Sequence, residues 1–197
     1  MKIKNVLLPV AALVLFSCNT DKNKVTETVT NDSVSTTEQT SVTDSLATET
    51  DENLALRVKD YLNNSFLTKE DAKTIAPEDK KFKLAQVDLN NDGKNEIFVH
   101  LTSSSFCGSG GCTVLLLQND LKPITKFTVT TPPFWVESKV ENGWKVLSVQ
   151  DKDGWKTLTF NNGTYPSNPS LLDASKEPNK AEATEVLSDT NTKEYTF

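Results

Sequence analysis

Phe82-Lys83-Leu84-Ala85-Gln86-Val87-Asp88-Leu89-Asn90-Asn91-Asp92-Gly93-Lys94-Asn95-Glu96-Ile97-Phe98-Val99-His100-Leu101-Thr102 decides the reading of this chain. Two β-prone apolar runs, Phe82–Val87 and Ile97–Thr102, flank a loop made almost wholly of Asp, Asn, Gly and Lys. Oxygen-bearing side chains recur at loop positions one, three, five and nine: Asp88, Asn90, Asp92 and Glu96. Gly93 stands where a sharp turn needs left-handed backbone, and the Lys94 carbonyl falls at position seven. A hard cation such as Ca²⁺ takes several oxygens from a tightly coiled loop of this kind. An EF-hand would place a bidentate Glu at the twelfth position, where this chain has Val99, and would have helices rather than strands on either side. The competing reading is a polar hairpin that uses Asp-Gly only as turn chemistry. Four oxygen side chains in register exceed what a turn needs, so Asp88, Asn90, Asp92, Lys94 and Glu96 are the candidate Ca²⁺ ligands.

Strands and tight turns continue to the C-terminal side. Thr113–Gln118, Ile124–Thr130, Phe134–Val140, Trp144–Val149 and Trp155–Phe160 are β-prone. Asn142-Gly143, Asp153-Gly154 and Asn162-Gly163 supply residues tolerant of positive φ at three hairpin turns. Strands joined this way are antiparallel. Pro132-Pro133 interrupts the run and is expected at a sheet edge. In the polar tail from Ser167, Glu185-Val186-Leu187 and Tyr195-Thr196-Phe197 are the candidate edge strands.

To the N-terminal side, Leu54, Val58, Tyr61 and Leu62 recur on one helical face, with Thr50 or Asp51 as cap. Thr68 and Asp71 form a variant capping box ahead of a second short helix, which Pro77 stops. The expected fold is α+β: two short N-terminal helices packed on an antiparallel β meander, forming one domain over residues 51–197.

Residues 1–17 read as a signal peptide. Lys2 and Lys4 precede the apolar run Val6–Phe16, which is shorter than the roughly 20 residues of a membrane span. The run ends on Leu15-Phe16-Ser17-Cys18, which resembles a lipobox, the bacterial lipoprotein signal. That resemblance implies a mature chain acylated at Cys18 and lodged in the bacterial cell envelope, held to the membrane by lipid, on an outer-membrane, periplasmic or surface face. Residues 18–50, after the cysteine, are rich in Thr, Ser and acid without Gly, Pro or aromatic residues, the composition of a disordered tether. Such a coil would carry the domain on the order of 30 Å from the membrane.

The chain is acidic, with net charge −6 and pI near 4.9, which excludes the electrostatic footprint of a nucleic-acid binder. Three cysteines are present. With Cys18 lipidated, Cys107 and Cys112 remain as an even pair around Gly108-Ser109-Gly110-Gly111, expected to be a disulfide in an oxidising compartment. Counting disfavours zinc, because His100 is the only histidine and no further cysteine completes the set. The spacing is not the Cys-x-x-Cys of a redox pair.

The loop Asp88–Glu96 resembles the strand–loop–strand calcium motif of integrin-type FG-GAP repeats. Taken with Phe106-Cys107-Gly108-Ser109-Gly110-Gly111-Cys112 and Asn162-Gly163-Thr164-Tyr165-Pro166-Ser167-Asn168-Pro169, it is similar to a set of uncharacterised bacterial exported lipoproteins. These combine an FG-GAP-like loop with a Cys-Gly-x-Gly-Gly-Cys loop. The resemblance covers about the middle half of the chain and implies a fold and an ion, without an activity. A propeller would repeat the loop; Asp151-Lys152-Asp153-Gly154 lacks the later ligands and reads as a turn.

No catalytic constellation stands out. His100 shares a strand side with Phe98 and Thr102, and no Gly-x-Ser-x-Gly elbow accompanies Ser103, Ser104, Ser105 or Ser109. Trp135, Trp144 and Trp155 either stack a sugar or fill the sheet core. The leading reading is non-enzymatic: a lipid-anchored, calcium-stabilised binding or accessory module with an envelope protein or glycan partner. The alternatives are a hydrolase of an envelope polymer and a periplasmic inhibitor that presents the Cys107–Cys112 loop.

Overall fold

The computed structural model describes residues 50–197. The stretches read from the sequence as a signal peptide (1–17) and a tether (18–50), Cys18 included, lie outside the described residues except for Thr50.

Helix α1 (Asp51–Tyr61) begins where the Thr50 side chain accepts the Asn53 amide, and Asp51 and Glu52 occupy its first turn. It continues as a wider π turn through Leu62–Phe66. Of the apolar spacing read from the sequence, Leu54, Val58 and Leu62 are buried, Ala55 joins them, and Tyr61 is only partly buried at the margin of that face. Helix α2 (Lys69–Thr74) starts on the Thr68 cap, whose hydroxyl accepts the Asp71 amide and donates to the Asp71 carboxylate. It buries no side chain, so the packing of helix on sheet comes from α1.

Ten strands follow: β1 (Lys81–Val87), β2 (Glu96–Leu101), β3 (Cys107–Gly108), β4 (Gly111–Leu117), β5 (Pro123–Thr130), β6 (Phe134–Glu141), β7 (Trp144–Asp151), β8 (Gly154–Leu158), β9 (Thr184–Val186) and β10 (Glu194–Thr196). They form two antiparallel sheets instead of one meander. The first is ordered β10-β1-β2-β4-β3, with β5 also paired to β4; the second is β8-β7-β6-β9. Pro132-Pro133, joined by a cis peptide bond, lies between β5 and β6 and so marks the passage from one sheet to the other. The tail supplies an edge to each sheet: β9 pairs with β6, and β10 pairs with β1.

The chain therefore stacks helix, sheet and sheet. One face of the first sheet packs Phe82, Leu84, Ile97, Val99, Leu101, Leu115 and Leu117 against α1 and Phe197. Its other face packs Phe98, Val114, Leu116 and Phe127 against Phe134, Val136, Leu147, Val149, Leu158 and Tyr165. β2 is the central strand of this arrangement and is buried at every residue, which is why its apolar run shows no alternation.

Turn chemistry places the hairpins. Asn142-Gly143 and Asn162-Gly163 both have φ > 0 at both residues, as a primed turn requires. The β7–β8 turn departs from the expected Asp153-Gly154. Asp151 pairs with Gly154, so Lys152-Asp153 form the loop, and Gly154, at φ 112°, opens the next strand.

Candidate metal centre

The loop from Asp88 to Asn95 joins β1 to β2, closed at its base by the Val87–Glu96 pair. Its alternating Asp and Asn residues fold it locally. The Asp88 carboxylate accepts the amides of Asn90 (3.3 Å) and Gly93 (3.0 Å). Asn90 Oδ1 accepts the Asp92 amide at 2.9 Å, and Asp92 Oδ1 accepts the Lys94 amide at 2.8 Å. Each short polar side chain thus caps backbone ahead of it, which lets Asn91 and Gly93 adopt φ 59° and 83°. A Cβ on Gly93 would meet nothing within 4 Å, so its requirement is conformational.

Glu96 is the buried member of the set, only 3% exposed. Its Oε2 accepts the Leu89 amide at 2.8 Å. Burial pushes its carboxyl up to about 7, and the charges of Asp92 and Asp88 add to the rise. Asp88 moves the other way. It loses some hydration, but the amides of Gly93, Asn91, Asn90 and Asp92 hold it below the usual carboxylate range.

Asn90 Nδ2 lies 3.3 Å from Asp92 Oδ2 and 3.5 Å from Glu96 Oε1. An amide donor thus bridges two carboxylates that would otherwise repel, the role a cation performs more strongly. Asn90, Asp92, Lys94 and Glu96 line one cavity of about 230 Å³, with Gln118, Asn119, Asp120 and Trp144 completing its wall. Asp88 is not on that wall; its oxygens are held by loop amides. Among the described residues, the carboxylates of Asp88, Asp92 and Glu96 do not all come within 4.8 Å of one another. The candidate ligand atoms of Asp88, Asn90, Asp92, Glu96 and the Lys94 carbonyl are all oxygens. That donor chemistry fits a hard divalent cation.

Two features of this site carry no signal in the sequence. Asp120 and its neighbours arrive from the β4–β5 turn, and no spacing links them to the loop. The second sheet also grips the loop: the Lys145 amide donates to the Leu89 carbonyl (2.7 Å) and Lys145 Nζ to the Asp88 carbonyl (2.8 Å). Tyr165 Oη in turn donates to the Lys145 carbonyl at 2.7 Å. The loop therefore sits where the two sheets meet.

Cys107 and Cys112 are disulfide-bonded and face each other in the β3–β4 ladder. The glycines between them have separate roles. A Cβ on Gly111, at φ 127°, would lie 2.6 Å from the Thr130 backbone N and O, whereas one on Gly108 would meet nothing within 4 Å. Beside the bridge is His100. One ligand atom from each of His100, Cys107 and Cys112 falls within 4.8 Å of the others. Both ring nitrogens of His100 are buried without a hydrogen-bond partner among the described residues.

The three tryptophans divide. Trp144 stacks on Phe160, with centroids 4.1 Å apart and planes at 17°, and is packed against the core. Trp135 and Trp155 instead line a groove of about 470 Å³ on the second sheet. Lys180 Nζ lies 5.2 Å from one ring centroid and 5.0 Å from the other.

Comparison of the chain with protein-family models, with curated proteins and with solved structures returns no match.

Proposed function

We propose that the chain is an exported binding module of the bacterial cell envelope, tethered by lipid on Cys18 and stabilised by one Ca²⁺ in the Asp88–Glu96 loop. The observation that carries the reading is the Asn90–Asp92–Glu96 arrangement. A buried carboxylate and an exposed one face an amide donor at the mouth of a small polar cavity, on a loop gripped by both sheets. Asn90, Asp92 and Glu96 would hold the ion through side chains, joined by Asp88 and the Lys94 carbonyl as the FG-GAP-like pattern implies. When bound, the ion supplies positive charge and fixes the loop; the chain's own residues do the rest. Glu96 ties loop to strand, and Lys145 ties loop to the second sheet.

The partner would dock on the Trp135–Trp155 groove. Two partly exposed indoles beside Lys180 offer stacking faces and a cation, suited to a glycan or to a protein surface of mixed polarity.

The role of the ion is structural, and the melting curve tests it. Extracellular modules hold Ca²⁺ with a Kd of about 10⁻⁴–10⁻³ M. At a Kd near 0.1 mM, a few millimolar Ca²⁺ would stabilise the fold by about 1.5–2 kcal/mol. Chelation is expected to lower Tm accordingly; an unchanged curve would contradict the reading.

A further inference from the structure

We propose that His100, Cys107 and Cys112 form a redox-gated site for a zinc-class metal ion, closed while the cysteines are bonded to each other and open to one ion once they are reduced.

Counting residues argues against zinc here; the fold reverses the argument by bringing the single histidine to the cysteine pair. His100 lies on β2 opposite Val114, two residues beyond Cys112 on β4, and Cys107 faces Cys112. One ligand atom of each residue lies within 4.8 Å of the other two. Every other residue of the run Ile97–Leu101 is a buried hydrophobe, and any of those side chains would fill position 100 without an unpartnered polar group. The histidine present leaves both Nδ1 and Nε2 buried and unpartnered. Two more orphans belong to the same neighbourhood. The hydroxyls of Ser103 and Thr130 are buried without partners. The Ser103 carbonyl accepts the Cys107 amide at 2.9 Å, and Thr130 is register-paired with Cys112. Packing alone does not account for an unpartnered imidazole within reach of the two sulfurs, with orphan hydroxyls on residues whose backbone is bonded to or paired with the cysteines.

The chemistry balances as follows. A dithiol reductant attacks one sulfur of the bridge, the S–S bond breaks, and the mixed disulfide is resolved by the reductant's second thiol. Two electrons and two protons pass to the protein, leaving two thiols on Cys107 and Cys112 and a disulfide on the reductant. A divalent ion then displaces both thiol protons and takes one imidazole nitrogen and two thiolates. Two negative ligands cancel the ion's charge, so the complex is neutral and suits a buried place. Three protein ligands leave a fourth position open, the pattern of a reactive zinc and not of a closed structural one. Soft and borderline ions fit; Ca²⁺, an oxygen-seeking ion, does not.

The test uses the full chain in detergent, reduced with a phosphine under anaerobic conditions and kept in saturating Ca²⁺, with Co²⁺ as the optical probe. The reduced protein is expected to bind one equivalent with a thiolate-to-cobalt charge-transfer band, which Zn²⁺ abolishes by displacement. The oxidised protein is expected to show no such band. His100→Leu replaces an unpartnered polar ring with a hydrophobe and should fold; its Co²⁺ affinity is expected to fall about tenfold or more. Cys107→Ser, with its circular dichroism unchanged, should lose the band. No band in the reduced protein, an equal band in the oxidised protein, or an affinity within about twofold of the parent in His100→Leu would each overturn the proposal.

Discussion

The buried Glu96 carboxylate accepts the Leu89 amide at 2.8 Å, tying the ninth loop position back to the second. The Leu89 carbonyl in turn accepts the Lys145 amide of the second sheet. One residue of the loop thus faces the candidate ion site through Glu96 and the second sheet through its own carbonyl. Occupancy of the loop and cohesion of the two sheets become one energetic problem.

Glu96 sets a pH dependence in the calcium-free protein. Its carboxyl is raised from 4.5 to about 7 in the fold. Between those values the native state binds more protons than the unfolded one, so stability falls as pH rises through that window. Denaturant midpoints measured in EDTA should decline from about pH 4.5 to about pH 7 and then level off. Glu96→Gln should flatten the decline; an undiminished slope in that variant would assign the effect elsewhere.

Tyr165 supports the loop from below. Its hydroxyl donates to the Lys145 carbonyl at 2.7 Å, while its ring packs among Phe127, Trp144 and Phe160. Tyr165→Phe keeps the ring and leaves the carbonyl short of a donor, at a cost of about 1–2 kcal/mol in urea denaturation. Tyr165→Ala also opens a cavity and should cost about 3–5 kcal/mol. Because Lys145 holds the loop backbone, Tyr165→Phe should also weaken Ca²⁺ binding, which calorimetry on the variant would detect.

The anchor is tested separately from the fold. Cys18→Ser should release the protein from membranes or leave it unprocessed. Mass spectrometry of a mature chain that starts elsewhere, with Cys18 unmodified or absent, would contradict lipidation.

Much of the β structure was legible because its signals are local. The strands from β1 to β8, apart from the two-residue β3, follow runs of β-prone residues, and Asn-Gly marked two of the hairpins. The division into two sheets was not, since it depends on which distant strands pair; only Pro132-Pro133 hints at the break. The Asp153-Gly154 turn is displaced by one residue because pairing of Asp151 with Gly154 overrides the local preference. Strand parity holds an unused signal for the groove. Phe134 and Val136 point into the core, so Trp135 between them points away from it. The His100–Cys107–Cys112 cluster lay beyond sequence spacing, because strand register and not motif length brings its members together. Asp120 reaches the loop cavity in the same way.

Isothermal titration of Ca²⁺ into the chelator-stripped protein tests the central claim most directly. One ion per chain is expected, with a Kd of about 10⁻⁴–10⁻³ M. Asp92→Ala should abolish the binding heat. Lys94→Ala should retain it, because only the backbone oxygen is called on at that position. No heat of binding in the parent protein, or undiminished binding in Asp92→Ala, would contradict the account.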